Sequence, residues 1–569
     1  MNSRVNERIM KRLCCGKKSK MRKTLLTILT LLLPALQMLA IPATGQLTGL
    51  FKTEKGDSLL VRLKGDEHLS YWQADDGRCF RLTPQNILQE IDLQQEQTLC
   101  LRRAALHRSP SLGDFKHYEG QYRGLIILAN FTDLKFKDGH DRALYDNVAN
   151  TENFTNSMGF KGSVRDYFLS QSRGKFDFSF DVVGPVELSK SYKYYGEDAA
   201  DGSSRNLHAG EMIAEACQLA GEGVDWSLYD WDGDGEVEQV FVIFSGEGQH
   251  NSTDTYTIWP HKHSLSLSDY GETLQVGGLT VDQYACSSEM FTKTMISGIG
   301  VICHEFSHCF GFPEHYDAAL GSAGNFGMSQ WDIMGYGNYN GNGFVPAGYT
   351  SYERMVLGWL DPIELKDGDI QIDGMRPLSE DGDAYIIYND GNTDEYYLLE
   401  NRQQTGWDAS LPGRGLLILH VDFDKAIWEA NGVNVVQTGG VFKNDHQRMT
   451  IFHADNDDQT TDFSLQRDPY PYGKRDSLTD HSFPAAVLYT PDLRGNTRMG
   501  KPITHITRNA DQTMSFHFSG SNGESGIGTT VRIEEPERQL LYRMGETRIW
   551  WELQPGQQGG SSKYVERHP

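Results

Sequence analysis

Two histidines four residues apart, His304 and His308, are the residues of this sequence best placed to do chemistry. On a helix this spacing puts both imidazoles on one face, one turn apart, where they can bind a single metal ion. Zinc accepts imidazole nitrogen and few ligands, and a catalytic zinc site leaves one position for water. Glu305, next to the first histidine, can take a proton from that water. The segment 304–308 therefore predicts a hydrolytic zinc site on a helix.

The residues after the second histidine indicate where the helix ends and where a third ligand lies. Gly311 allows the chain to turn, and Pro313 prevents the helix from continuing. Glu314 lies ten residues after His304, the offset at which metzincin peptidases place their third ligand. The adjacent His315 is an alternative ligand, although we favour Glu314.

A second segment, WDIMGYG at 331–337, resembles the methionine turn of metzincins. The resemblance implies that Met334 lies beneath the metal. Tyr336 follows two residues later, where several metzincins keep a tyrosine near the zinc. In that role Tyr336 would stabilise the oxyanion, which is usually the largest electrostatic contribution to catalysis.

Together with blocks elsewhere in the chain, these segments resemble the immune-inhibitor-A-like secreted bacterial metallopeptidases. The family usually has Asp at the third-ligand position, so Glu314 keeps the carboxylate but adds one methylene. The blocks follow the family's order over about residues 120–520, and they are GSVRDYFLSQSRGKFDF at 162–178, YDWDGDGEVEQVFVIFSGEG at 229–248, IWPHK at 258–262, HEFSHCFGFPEHYD at 304–317, YERMVLGWL at 352–360 and LPGRGLLILHVD at 411–422.

The resemblance implies a secreted zinc-dependent endopeptidase with Glu305 as general base and Tyr336 as a second catalytic residue. Protein or peptide substrates and a monomer are expected, in the medium or on the surface of a bacterium. Two other classes stay open: a non-catalytic adhesion protein that keeps the fold, and a zinc hydrolase acting on other bonds. The intact Glu305 disfavours the first, because a protein without catalysis needs no general base.

The acidic run DWDGDGEVE at 230–238 has the spacing of a calcium-binding loop, with a glycine at the sixth position for the sharp turn. The twelfth position holds Phe241 instead of glutamate, so the loop is not a complete EF-hand. A bound calcium ion would be structural, and an acidic turn without metal is the alternative. The candidate ligands are Asp230, Asp232, Asp234, Glu236 and Glu238.

The chain has 569 residues and a formal net charge of −24, which argues against nucleic acid as a partner because phosphates attract clustered cations. A basic stretch at 21–23 precedes an apolar run that is interrupted by Pro34 and ends in IPATG. This pattern predicts a signal peptide cleaved around 40–45, and a membrane anchor is the alternative. No other apolar run approaches membrane length, so no membrane span is expected in the mature chain.

The alternation of strands and helices predicts an α+β protein with a zincin-like catalytic domain. The N-terminal β-patterned block resembles the family's propeptide, and the polar segment at 104–121 is a candidate processing site. The expected organisation is a signal region at 1–45, a propeptide-like β unit and linker at 46–115, the catalytic domain at 116–362, an antiparallel β subdomain at 363–520 and a polar tail at 521–569.

Overall fold

The computed structural model describes residues 39–66, 69–96, 112–113, 115–198, 206–318, 325–437, 443–520, 549–550 and 565–566. The residues outside these ranges include most of the apolar run of the predicted signal peptide, half of the polar segment at 104–121 and most of the C-terminal tail.

A short strand and a small barrel make up the N-terminal unit, by which we mean the described residues of 39–96. Five strands close the barrel in the order β2-β3-β4-β5-β6. Their alternate residues, such as Val61, Leu63 and Trp72, fill its interior, as the period of two predicts. The strands are β1 (Leu39–Ala40), β2 (Thr48–Thr53), β3 (Ser58–Gly65), β4 (Ser70–Ala74), β5 (Cys79–Leu82) and β6 (Ile87–Ile91).

A seven-stranded mixed sheet follows, in the order β1-β11-β14-β10-β7-β8, with β15 added to β14. The pairs β7–β8, β7–β10 and β10–β14 are parallel, whereas β11 pairs antiparallel with β14 and β1 antiparallel with β11. The strands of this region are β7 (Gly120–Asn130), β8 (Phe176–Glu187), β9 (Glu236–Val237), β10 (Val240–Glu247), β11 (His261–Ser264), β12 (Leu274–Val276), β13 (Leu279–Val281), β14 (Gln283–Thr292) and β15 (Met295–Ile296).

Helices cover both faces of this sheet. The second begins as its sequence predicts, because the Ser163 side chain accepts from the Asp166 amide and the Asp166 carboxylate accepts from the Ser163 amide. The described helices are α1 (Arg142–Asn150), α2 (Val164–Gln171), α3 (Tyr192–Tyr195), α4 (Ala209–Ala220), α5 (Gly300–Ser307), α6 (Ser351–Val356), α7 (Lys425–Glu429) and α8 (Asp462–Leu465).

Two antiparallel-rich sheets form the C-terminal part, in the orders β16-β18-β19-β20-β21 and β17-β23-β22. Leu417 and Leu419 of β20 face the core that contains α5, whereas Leu416 and Ile418 face the second sheet. The strands are β16 (Ile363–Glu364), β17 (Asp369–Met375), β18 (Tyr385–Asn389), β19 (Asn392–Arg402), β20 (Gly415–Asp422), β21 (Met449–Ile451), β22 (Ile503–Arg508) and β23 (Met514–Ser519), and Ile549–Trp550 and Val565–Glu566 pair with each other.

The polar segment at 104–121, which the sequence predicts as the linker and processing site, is packed against the rest of the protein at its end. β7 already begins at Gly120, and Leu112 is fully buried. The amide of Gly113 donates to the carbonyl of Gly311 at 2.8 Å, and Phe115 packs against Phe312 at 5.3 Å between ring centroids. The end of the predicted linker therefore lies against the turn that follows α5.

A buried guanidinium connects the C-terminal sheets to the centre of the molecule. Arg402 makes two hydrogen bonds to Asp408, at 2.7 and 2.8 Å, and one to Glu400 at 2.9 Å. It also donates to the carbonyls of Trp331 and Gly348. These contacts fix the segment that leads into the predicted methionine turn.

No helix in the part of the chain that the structure describes is long and apolar enough to cross a membrane.

Candidate metal centre

The helix α5 is held against the central sheet by its apolar face. Phe306 stacks on Phe241 of β10, with ring centroids 5.5 Å apart, and Ile302 joins the same core. At its first residue, Gly300, an added Cβ would lie 1.9 Å from the carbonyl oxygen of Asn338. Only glycine permits this approach of the 337–343 segment to the helix.

Three predicted ligands converge at the end of α5. Nε2 of His304 lies 3.4 Å from one Glu314 oxygen, and Nε2 of His308 lies 3.2 Å from the other. All three side chains are at most 1% exposed, and one ligand atom from each lies within 4.8 Å of the others. Gly311, at φ +94°, makes the turn that returns Glu314 to the two histidines.

The opposite nitrogens of the two rings are anchored to backbone carbonyls. Nδ1 of His304 is 2.7 Å from the oxygen of Ile333, and Nδ1 of His308 is 2.7 Å from the oxygen of Phe312. A carbonyl only accepts, so each Nδ1 carries the proton and each Nε2 presents a lone pair. Burial lowers the pKa of both histidines, which keeps the rings neutral. Two neutral imidazoles and a carboxylate fit a zinc ion.

Glu305 is next to a ligand in the chain, and Tyr336 is three residues after Ile333, whose carbonyl anchors His304. Glu305 follows His304 on α5 and is fully buried. Tyr336 is half-buried, and its ring packs against Tyr316 at 6.0 Å between centroids. Met334 is also fully buried, next to the residue whose carbonyl anchors His304.

His315 points away from the two histidines, into a second buried cluster. Its Nδ1 lies 2.6 Å from Asp332 and 3.4 Å from Glu353. Burial alone would lower the pKa of His315, but these two carboxyl groups raise it to about 10. The two carboxyl groups thus favour the protonated ring, and its charge lowers the pKa of Asp332 against the effect of burial. The contacts of Nδ1 place His315 with Asp332 and Glu353 and not with the cluster of the three predicted ligands.

The same cluster holds the predicted methionine turn. Asp332 accepts a hydrogen bond from the amide of Met334 at 2.7 Å, and the His315 amide donates to the Met334 carbonyl at 2.9 Å. Ile333, between them, carries the carbonyl that anchors His304. The buried ion pair thus positions the turn, and the turn positions a ligand.

Comparison with known proteins places this geometry in a family. Residues 125–358 match the model of the immune inhibitor A peptidase M6 catalytic domain. We refer to residues 125–358, which are similar to that catalytic domain, as the M6 domain. The match supports the predicted family, whose model is that of a peptidase, and all three candidate ligands lie within the matched residues.

Two kinds of relative match this chain. The pre-pro-metalloprotease PrtV of two Vibrio cholerae strains is 23% identical over 485 residues, covering 71% of this chain and 51% of the relative. Immune inhibitor A of Bacillus thuringiensis subsp. alesti is 22% identical over 296 residues, covering 44% of this chain and 43% of the relative. The chain thus spans about half the length of the curated relatives it matches.

The acidic loop of the M6 domain gathers three of its five candidate ligands. One carboxylate oxygen each from Asp230, Asp232 and Asp234 lies within 4.8 Å of the others. Glu236 is exposed on β9 and is not in this cluster, because pairing of β9 with β13 fixes it outside the turn. Glu238 instead accepts from the Trp231 amide with both oxygens.

Several residues around the metal centre of the M6 domain carry no signal in the sequence. Asp332 and Glu353 lie in quoted blocks, yet no spacing rule connects them to His315. Tyr339 is also unexpected: its hydroxyl donates to the carbonyl of Pro42 in the N-terminal unit. Only the fold brings these partners together.

Replacing Glu314 and replacing its neighbour His315 should have different effects on zinc binding and on stability. We expect Glu314→Ala to weaken zinc binding by more than about a hundredfold, since loss of even an indirect partner of a ligand costs about 10–100-fold. His315→Ala should weaken zinc binding far less than Glu314→Ala in its folded fraction, because it removes only an indirect support of His304. It should cost about 3–5 kcal/mol of stability, because Asp332 is left buried without its cation. Competition with a chromophoric chelator measures the first, and thermal unfolding the second.

The exposed Glu364 on β16 provides the control, as Glu364→Ala should change neither quantity. The reverse ranking of zinc affinities would make His315 the ligand instead of Glu314.

Proposed function

We propose that this protein is a secreted zinc-dependent endopeptidase that cleaves peptide bonds of extracellular proteins. The observation that carries the proposal is the convergence of His304, His308 and Glu314 in a buried cluster with Glu305 on the same helix. The metallopeptidase names of the M6 family and of PrtV support it.

His304, His308 and Glu314 would hold the zinc ion. When bound, zinc lowers the pKa of a coordinated water and polarises the carbonyl of the substrate. Glu305 would accept the proton of the attacking water and deliver it to the leaving amine. Tyr336 would donate its hydroxyl to the oxyanion as charge develops there.

The N-terminal unit is well placed to inhibit this site. Its first strand β1 pairs with β11, an edge strand that would otherwise be open to an extended peptide. Trp259 donates from its indole to the carbonyl of Ile41 at 2.9 Å, and Tyr339 bonds to Pro42. Ile41 is fully buried. We therefore interpret the N-terminal unit as an inhibitory propeptide that must be removed before substrate can bind.

The packed end of the linker limits where activation can cut. Leu112, Gly113 and Phe115 pack on the M6 domain next to the turn at Gly311. A cut before Leu112 keeps these contacts in the mature enzyme. The remaining part of the predicted processing segment, around 105–111, is the expected site.

Export by a signal peptide completes the proposal, with the mature protein in the medium or on the bacterial surface as a monomer. The predicted cleavage around 40–45 falls within the buried stretch that follows β1. A cut there would separate β1 from the rest of the N-terminal unit, so the position of the first cleavage decides whether β11 stays covered.

Calcium is the second ion that we propose. The Asp230 carboxylate already accepts from the amides of Gly233 and Gly235, at 2.7 and 3.0 Å, which shapes the loop around the acidic cluster. Asp232 lies 3.2 Å from the ammonium of Lys116, which occupies part of the space a cation would take. The role is structural, since the loop is separate from the zinc ligands.

A non-catalytic adhesion protein and a zinc hydrolase of other bonds are distinguished from this proposal by one assay. An activated preparation should cleave casein, lose that activity with a chelator and regain it with zinc. An adhesion protein would bind without cleavage, and a hydrolase of other bonds would leave casein intact.

Removal of the general base should separate catalysis from folding. Glu305→Gln is expected to bind zinc and unfold like the parent but to lose about two to four orders of magnitude in peptidase activity, because the amide cannot accept a proton. Peptide hydrolysis, zinc content and melting temperature are measured together. Activity within a few-fold of the parent would show that Glu305 is not the base.

Activation should accompany loss of the N-terminal unit. We expect the active secreted species to begin between about residues 105 and 112, and the precursor that keeps the barrel to be inactive because the barrel packs against Trp259, just before β11. N-terminal sequencing of active and inactive fractions tests both points. An active form that still starts near residue 45 would contradict the interpretation.

Calcium should raise the melting temperature without being needed for catalysis. An ion that binds only the folded state stabilises it by about 2.7 kcal/mol at a hundred times its dissociation constant. Asp232→Asn should shrink the calcium-dependent shift, whereas Lys116→Met should enlarge it by removing the competing ammonium. Differential scanning calorimetry across a calcium series measures these shifts. A parent that melts at the same temperature throughout the series has no calcium site in this loop.

A further inference from the structure

Strand β11, which pairs with β1, carries a buried lysine that forms no ion pair with a carboxylate among the described residues. Lys262, on β11, is 5% exposed. Its ammonium donates to the neutral amide oxygen of Gln283 at 3.0 Å, and no ion pair joins it to any carboxylate among the described residues. The orientation of the Gln283 amide is fixed, because its nitrogen donates to the Ser264 hydroxyl at 2.7 Å. Burial lowers the pKa of Lys262 below its ordinary value.

The register of the sheet shows which way this lysine points. Lys262 pairs with Ala285 of β14, which lies in the core with α5, whereas His261 pairs with Cys286, which lies in the core on the other side. Directly paired residues share a face of a sheet. Lys262 is therefore on the side of the metal centre, and its charge acts on Glu305 and Cys309.

The pairing of β1 shows where a peptide would meet this lysine. Leu39 is the register partner of Lys262, and Ala40 is the partner of His261. A substrate strand that took the place of β1 in the same direction would set one side chain opposite Lys262, on the face of the metal centre. Its neighbour would lie opposite His261, on the other face.

We propose that Lys262 is a specificity-determining residue that selects an acidic side chain at the substrate position paired with it. This inference rests on the proposed peptidase function and deepens it. A lysine ammonium has three donors, and Gln283 accepts only one of them. An aspartate or glutamate side chain would supply the missing counter-charge in a partly buried setting, where a charge-assisted bond is strongest.

The other partners of β11 argue that the selection is confined to one position. The ring of His261 bonds to the carbonyl of Trp259 at 2.6 Å and to the hydroxyl of Tyr284 at 3.0 Å. It therefore offers no free charge to the adjacent substrate residue. Acidic residues should be favoured at a single offset from the cleaved bond and not at the next.

Cleavage mapping on the activated enzyme tests the inference. A mixture of peptides from a digested protein, blocked at both termini, is incubated with the parent, Lys262→Met and Lys366→Met, and the cut bonds are identified by mass spectrometry. The parent and the exposed-lysine control Lys366→Met should enrich Asp and Glu about tenfold at one fixed position. Lys262→Met should lose that enrichment while preferences at other positions persist.

Two peptides that differ only by Glu or Gln at that position are then compared by the ratio of their kcat/KM values. Their affinities for the Glu305→Gln protein give the same comparison without turnover. The ratio should be about ten for the parent and near one for Lys262→Met, in both measurements. No acidic enrichment in the parent, or an enrichment that survives Lys262→Met, would overturn the inference. An equal loss of kcat/KM for both peptides in Lys262→Met would also overturn the inference, since Lys262 would then act on Glu305 and not on the substrate. Failure to cut any peptide would instead overturn the proposed peptidase function.

Discussion

The orientation of two imidazole rings is the constraint on which the rest of the site depends. His304 and His308 can share a metal only if each turns its Nε2 inward, and each does so because its Nδ1 is tied to a backbone carbonyl. One of those carbonyls belongs to Ile333, whose position follows from the buried pair of His315 and Asp332. The ligand geometry is thus supported by a second cluster that never touches the ligands' free nitrogens.

The support extends beyond the matched catalytic region. Alternate residues of β20 face the core of α5, so one face of the C-terminal sheet completes that core while its other face forms a second core with the neighbouring sheet. Arg402 at the end of β19 bonds to the carbonyl of Trp331, just before the methionine turn. Because removing one partner of such a buried pair leaves an uncompensated charge, the catalytic region depends on the strands after it.

Sequence reasoning succeeded where partners are neighbours in the chain and failed where they are distant. The spacing of His304, His308 and Glu314 lies within one helix and its turn, so local geometry could predict their convergence. Asp332 lies 17 residues from His315, and the Trp259–Ile41 hydrogen bond joins residues 218 apart. No periodicity records such contacts, since they arise from how sheets stack. The outward position of Glu236 has the same origin, a pairing between β9 and β13.

The strand β1 has a further consequence through its covalent attachment. A tethered segment meets its own edge strand at an effective concentration of about millimolar, whatever the protein's dilution. Free peptides that bind to β11 must therefore compete with the tethered β1, even if the pairing of β1 with β11 is weak. Once the connection is cut, the same segment is diluted to its bulk concentration and the advantage disappears. Under the proposed function, activation would then need no change in the catalytic groups, only the loss of the high local concentration of β1.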